Sequence, residues 1–206
     1  MSDRPDLERL RAAIASGDPG VAMPALAALR DVPAEQAVPL LLLGLEQDTF
    51  MIRSLSCAGL GIKCSAAGRE ALLQALHHDS DANVRAEAAN ALVSHGLGAA
   101  WPELLAAFRR DDAWLLRCSV LSAVAEHPEA EPEGLLELAA LAVADADGTV
   151  RVSGTEILGR LARQQGFAVP SPALPALAEQ ARQLLARLQA DPDHRVVAAA
   201  LNGLQG

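Results

Sequence analysis

An all-α fold, an α-solenoid of about six stacked helical hairpins, follows from three observations. The composition is rich in helix formers and nearly free of aromatics, the chain repeats every 32 to 34 residues, and each copy carries apolar columns at helical period. Of 206 residues, 51% are hydrophobic, ample for a core, yet only 2% are aromatic and tyrosine is absent. Ala, Leu and Val must therefore fill the interior, and Ala and Leu lead the helix-propensity scale.

The repeat is read by aligning four arginines. The segments "DTFMIRSLSCAGL" (48–60), "DSDANVRAEAANAL" (79–92), "DDAWLLRCSVLSAV" (111–124) and "DADGTVRVSGTEIL" (145–158) place Arg53, Arg85, Arg117 and Arg151 in one column. Weaker copies, "DPGVAMPALAAL" from Asp18 and "DPDHRVVAAALNGL" from Asp191, put Ala22 and Val197 there. The residue before the column is always apolar (Val21, Ile52, Val84, Leu116, Val150, Val196), as is the residue seven after it (Leu29, Leu60, Leu92, Val124, Leu158, Leu204). With small or apolar side chains three and four after it, these form one stripe along a helix.

Between these helices lies a second apolar helix in each period: 7–15, 34–45, 69–77, 102–109 and 135–143. Pro33, Pro102 and Pro132 mark starts, since the first turn has no use for the missing N–H. Trp101 is read as a staple on the helix start at Pro102. A single hairpin cannot bury its own apolar faces, so the copies must stack. After Arg151 the pattern stretches: "QQGFAVPSPALP" precedes a long polar-faced helix over 173–190, and the insertion over 164–175 is read either as a cap on the stack or as a docking element.

The D-x-x-x-V-R then A-x-x-A-L pattern resembles the HEAT-repeat superfamily, in particular the HEAT-like repeats of the phycobilisome lyase type. The resemblance covers roughly residues 6 to 204 and implies a right-handed α-solenoid of about six HEAT-like hairpins. It implies one domain over 1–206, with repeats at roughly 5–31, 33–63, 66–96, 99–127, 132–165 and 171–205. It also implies that Arg53, Arg85, Arg117 and Arg151 tie successive turns together in a ladder with the capping aspartates, Asp81 and Asp147 among them.

Several chemistries are excluded. The D-x-D-x-N start at Asp79 suggests a calcium loop, but such a loop needs glycine at its sixth position and glutamate at its twelfth, where Val84 and Asn90 stand. Asp18, Asp81, Asp147 and Asp193 recur four residues before the arginine column, where a carboxylate caps the second helix. HEAT-like relatives with a di-iron centre carry repeated His-Glu dipeptides, whereas His77, His78, His95, His127 and His194 here precede His, Asp, Gly, Pro and Arg. The His77–His78 pair is read as favouring a helix C-terminus. With no nucleophile elbow, phosphate loop or H-E-x-x-H, neither catalytic nor metal residues are expected.

A net charge of −9 and a pI near 5.0 argue against nucleic acid, whose binding needs clustered cations. No apolar leader or 18-residue uncharged apolar run occurs, so the reading is a cytoplasmic protein that does not span a membrane. Cys57, Cys64 and Cys118 lack C-x-x-C spacing and are read as small buried hydrophobes.

What remains is a surface for another protein. Positions two, five and nine after the arginine fall on the outward side of the second helix: Leu55, Ala58 and Ile62; Glu87, Asn90 and Ser94; Ser119, Ser122 and Glu126; Ser153, Glu156 and Arg160. This helix lines the concave face in solenoids, so the groove is mildly acidic with an apolar end at the second repeat. Phe50 and Trp114, three before the arginine, are either exposed anchors or side chains packed under the adjoining loop. The candidate partner-binding residues are thus Phe50, Leu55, Glu87, Asn90, Trp114 and Ser119, and the expected role is a non-enzymatic scaffold or adaptor. The repeat subtype implies the alternative, a bilin lyase subunit that holds an open-chain tetrapyrrole and acts on phycobiliproteins, possible partners in a heteromeric complex; Trp114 with Arg117 would face its propionate.

Overall fold

A computed structural model describes residues 6–125, 127–167 and 171–205. Twelve α-helices and one 3₁₀ turn (Leu29–Asp31) run through them with no strand among the described residues. The helices are α1 (Leu7–Ala15), α2 (Pro19–Ala28), α3 (Ala34–Leu45), α4 (Phe50–Ile62), α5 (Ala66–His78), α6 (Ala82–Val93), α7 (Leu97–Arg110), α8 (Trp114–Ala125), α9 (Pro132–Ala142), α10 (Gly148–Ala162), α11 (Leu174–Leu188) and α12 (His194–Leu204). The chain divides into two compact units, Met1–Arg109 and Arg110–Gly206.

In the N-terminal unit, α1 with α2, α3 with α4 and α5 with α6 pack as hairpins. Helices α2, α4 and α6 succeed one another in one layer, and α1, α3 and α5 in the other. Helix α7 joins α5 through Arg69 Nη2, which donates to the Ala99 carbonyl at 3.2 Å, and through His77 Nε2, 2.7 Å from Glu103 Oε2. The C-terminal unit repeats the plan, with hairpins α9/α10 and α11/α12 and with α8, α10 and α12 in one layer.

The apolar columns become the seam between layers. Ile52, Val84, Leu116, Val150 and Val196 are buried, as are Leu29, Leu60, Leu92, Val124 and Leu158 seven or eight residues on, whereas Leu204 is half-buried. Val21 departs from its column: it is 49% exposed, and Ala22, at the arginine position, takes the buried place. A methyl group fits inside the seam where a guanidinium would not, so α2 turns its register inward by one residue. Ser56 and Thr155, buried on the same stripe, donate their hydroxyls to the carbonyls four residues back, at 2.8 Å and 2.7 Å.

Four of the second helices, α2, α6, α10 and α12, start on a capping aspartate, whereas α4 starts on Thr49, whose side chain makes no cap bond. Asp18 accepts from Gly20 N, Asp81 from Asn83 N, Asp147 from Thr149 N and Val150 N, and Asp193 from Arg195 N. Asp147→Ala is expected to cost about 1 kcal/mol, read as a lower thermal midpoint and faster amide exchange in the first turn of α10.

Three sequence expectations require correction, and a fourth is met. Pro102 does not start a helix but sits inside α7, which begins at Leu97. With no N–H, Pro102 leaves the Gly98 carbonyl, four residues back, without its intrahelical donor, yet α7 continues to Arg110. Trp101 is therefore half-buried mid-helix rather than a staple at a helix start. Cys57 is buried, but Cys118 is half-buried on α8 and Cys64 is exposed in the turn after α4, where its thiol lies 3.2 Å from the Gly61 carbonyl. The helix read over 173–190 forms as α11, the first helix of the last hairpin, burying Ala178, Ala181 and Leu185 against α9, α10 and α12; residues 168–170 of the insertion lie outside the described residues.

Candidate partner-binding surface

The arginine column has a defined job in each loop. Nη1 of Arg53 donates to the carbonyls of Gln47 and Asp48 (2.9 and 2.7 Å), that of Arg85 to Asp79 and Ser80 (3.0 and 3.2 Å), and that of Arg151 to Asp145 and Ala146 (3.1 and 3.0 Å). Arg117 Nη1 donates to the Asp111 carbonyl at 2.8 Å. Each arginine thus clamps the loop that leads into its own helix.

The other edge of the guanidinium reaches the next repeat. Arg53 Nε and Nη2 donate to Asp79 at 2.8 and 3.0 Å, and Arg151 Nε and Nη2 donate to Asp191 at 3.0 and 3.1 Å. Arg117 Nε lies 2.6 Å from Asp145 Oδ2, and its Nη2 donates to Oδ1 at 3.1 Å. The acceptors are not the capping aspartates Asp81 and Asp147, as the sequence reading had it, but the residues two positions earlier. A cap carboxylate is consumed by the N–H groups of its own helix, whereas the earlier aspartate faces back along the layer. That aspartate also closes its own turn: Asp79, Asp145 and Asp191 accept from the backbone N of Asp81, Asp147 and Asp193 at 2.9, 2.8 and 2.8 Å.

These contacts set the local charge. Asp79 beside Arg53 raises that guanidinium's pKa, and Arg151 holds the Asp191 carboxyl below the usual carboxylate range. Asp193 is held down to about 2 by Arg195. Burial pushes the Cys57 thiol up to about 12 and raises the Glu87 carboxyl. Both aspartates of the D-x-D stretch are therefore committed, Asp79 to Arg53 and Asp81 to α6, and no group of three or more His, Cys, Asp or Glu among the described residues is placed to hold a metal.

The second-helix face is open in both units. Leu55, Ala58 and Ile62, the positions two, five and nine after Arg53, line one cleft of about 230 Å³ with Leu26, Leu29 and Leu41. Ser122, Ser153, Glu156 and Arg160, from the same positions of the following repeats, line a mixed polar and apolar cleft of about 350 Å³ in the C-terminal unit with Leu121, Ile157 and Arg163. Arg160 there is held by the turn after α10: its Nε donates to the Gln165 carbonyl at 3.2 Å and its guanidinium lies 4.6 Å over the Phe167 ring.

Of the six candidate partner-binding residues, Leu55 alone lines either cleft. Glu87 is half-buried and Asn90 exposed on α6, and Ser119 is half-buried on α8. Glu126, also placed on this face, lies outside the described residues. Phe50 and Trp114 are 39% and 49% exposed at the starts of α4 and α8, so neither is packed under a loop. Sequence reasoning missed Leu26 and Arg30, from the hairpin before, and Leu41 and Lys63, from the same hairpin as Leu55 but outside its columns. The one lysine in the chain was the available signal.

Stacked antiparallel helical hairpins with a repeated arginine clamp define an α-solenoid of short repeats. The sequence matches the family of HEAT repeats over residues 45–125 and 69–159, more than half its length, and the chain belongs to that family. Among solved structures it is similar to an engineered structural-genomics target (17% identity, 98% of this chain and 96% of that one, TM-score 0.61). It is also similar to a designed armadillo repeat protein (16%, 97% and 99%, TM-score 0.59). The CpcE–CpcF complex of phycocyanin lyase from Nostoc sp. PCC7120 matches at 20% identity over 97% of this chain and 98% of that one, with a TM-score of only 0.42. No curated protein matches the sequence significantly. No helix among the described residues is long and apolar enough to cross a membrane.

Proposed function

We propose that the protein is a non-enzymatic scaffold that binds a partner protein through the second-helix faces of its repeats, with Leu55, Glu87, Asn90 and Ser119 on those faces and Phe50 and Trp114 at their rims. The observation that carries this reading is the pair of open clefts lined by the same repeat positions, Leu55, Ala58 and Ile62 in one and Ser122, Ser153, Glu156 and Arg160 in the other. Side chains in these positions are spared by the core, which draws on the columns at minus one, three, four and seven. Repeats of this kind present extended surfaces in which each hairpin contributes a few contacts.

Affinity purification of the tagged protein from its native cell, quantified by mass spectrometry, tests the proposal. Replacing Phe50 and Trp114 together with alanine is expected to remove the enriched partner while shifting stability by only about 0.5 kcal/mol, the usual size for exposed sites. Identical enrichment by wild type and variant would overturn their role as anchors. The alternative of a bilin lyase subunit has less support, because the Arg117 guanidinium that a propionate would need is already committed to Asp145 and to the Asp111 carbonyl.

A further inference from the structure

The cleft of the N-terminal unit is unlike the rest of the surface in two respects. It is lined by Leu26, Leu29, Leu41, Leu55 and Ile62, and Ile62 is 65% exposed, the most of any large apolar side chain in the described residues. Its only ionisable lining residues are both basic, Arg30 and Lys63, in a chain of net charge −9. Lys63 Nζ donates to the Arg30 carbonyl at 2.7 Å, which pins the ammonium beside the end of α2.

No carboxylate lines this cleft, whereas the cleft of the C-terminal unit carries Glu156 beside Arg160 and Arg163. Neither Arg30 nor Lys63 joins an ion pair among the described residues. Asp31 follows Arg30 in the same 3₁₀ turn but does not line the cleft. Two cations without counter-charges at the mouth of an apolar depression are complementary to an anion attached to an apolar group. The volume of about 230 Å³ falls short of the roughly 300–1,000 Å³ of small-molecule sites and suits an inserted side chain.

We propose that the cleft between α2, α3 and α4 docks an acidic amphipathic segment of a partner protein, which buries an apolar side chain on Leu26, Leu55 and Ile62 and sets a carboxylate against Arg30 and Lys63. This rests on the scaffold reading and names the chemistry of the partner at that surface. The apolar anchor supplies the burial and the cations select against basic segments, so binding weakens as salt rises.

The test uses the full-length protein and two fluorescein-labelled synthetic peptides with leucines at helical spacing, one carrying glutamate and one lysine on the polar face, read by fluorescence anisotropy. The glutamate peptide is expected to bind, and the lysine peptide to bind roughly tenfold or more weakly. Arg30→Glu with Lys63→Glu is expected to reverse that preference, and Ile62→Ser to weaken both peptides, with helical circular dichroism unchanged because none of the three side chains belongs to the buried core. A Kd for the glutamate peptide weaker than about 1 mM, equal binding of both peptides, or an unchanged preference in the charge-reversed protein would each overturn the proposal. So would self-association of the protein that the charge reversal abolishes, since the occupant would then be a second copy. If the charge-reversed protein still captures its cellular partner while the Phe50→Ala, Trp114→Ala protein does not, the scaffold role stands and this docking point falls.

Discussion

Replacing Asp191 with alanine is expected to destabilise the C-terminal unit by about 2–3 kcal/mol, the range for hydrogen bonds to a charged group whose partner is left behind. Both oxygens of Asp191 receive bonds from Arg151, at 3.0 and 3.1 Å, and one of them also closes the turn to Asp193 N at 2.8 Å. The two side chains are only 9% and 14% exposed, so water cannot fully replace the lost acceptor. Asp191→Asn keeps a turn acceptor and loses the charge, and a smaller loss is expected. Protonation should imitate that variant. Because Arg151 holds the folded carboxyl below its unfolded value of 3.8, the contribution is fully present above that pH and is lost as the pH falls through the folded value. Urea melts of wild type and Asp191→Asn should therefore differ at pH 7 and converge increasingly below about pH 4. A difference that stays constant into acid would show that the pair contributes by shape rather than charge.

This pairing marks the limit of what the sequence carries. The helical period, the caps at Asp18, Asp81, Asp147 and Asp193, and the buried columns were all legible, because each depends on spacing within one helix or across one turn. Which aspartate meets the arginine was not. In the third, fifth and sixth copies aspartate stands both four and six residues before the column, and spacing alone does not separate a carboxylate aimed at its own helix from one aimed at the preceding loop. The cap geometry separates them, because Asp81 and Asp147 are turned onto N–H groups that Asp79 and Asp145 cannot reach. The candidate surface was legible in the same partial way. The positions of Leu55, Ala58 and Ile62 follow from a helical wheel, but Leu26 and Arg30 come from the hairpin before and enter the cleft because α2 packs beside α4 in the same layer. Phe50 and Trp114 were ambiguous for a related reason: a large side chain at a helix start is buried or exposed according to a neighbouring loop that the repeat pattern does not describe.

The same reasoning predicts the most damaging single substitution. Gly154 occupies the position three after Arg151, where other copies carry Ser56, Ala88 and Val120, and nothing in that column demands a residue without a side chain. In the fold it faces α9 so closely that a Cβ would lie 2.6 Å from Ala142 Cβ, 3.2 Å from the Ala139 carbonyl oxygen and 3.2 Å from Val143 Cγ1. Two opposing effects decide the outcome of Gly154→Ala. Helix propensity favours alanine by about 1 kcal/mol, whereas the methyl overlaps another methyl and a main-chain oxygen that cannot rotate away. Separating α9 from α10 to relieve the overlap also disturbs the other partners of α10, since α8, α11 and α12 pack on the same helix. Overpacking should win, leaving the alanine variant less stable by roughly 1–2 kcal/mol and Gly154→Leu by about 3 kcal/mol or more. Because repeat proteins can open in part, hydrogen exchange is the appropriate measurement. Protection should fall most in α9 and α10 of the C-terminal unit and least in α1 to α4, and an alanine variant as stable as wild type would mean that the two helices separate freely and that the close approach is not what keeps glycine there.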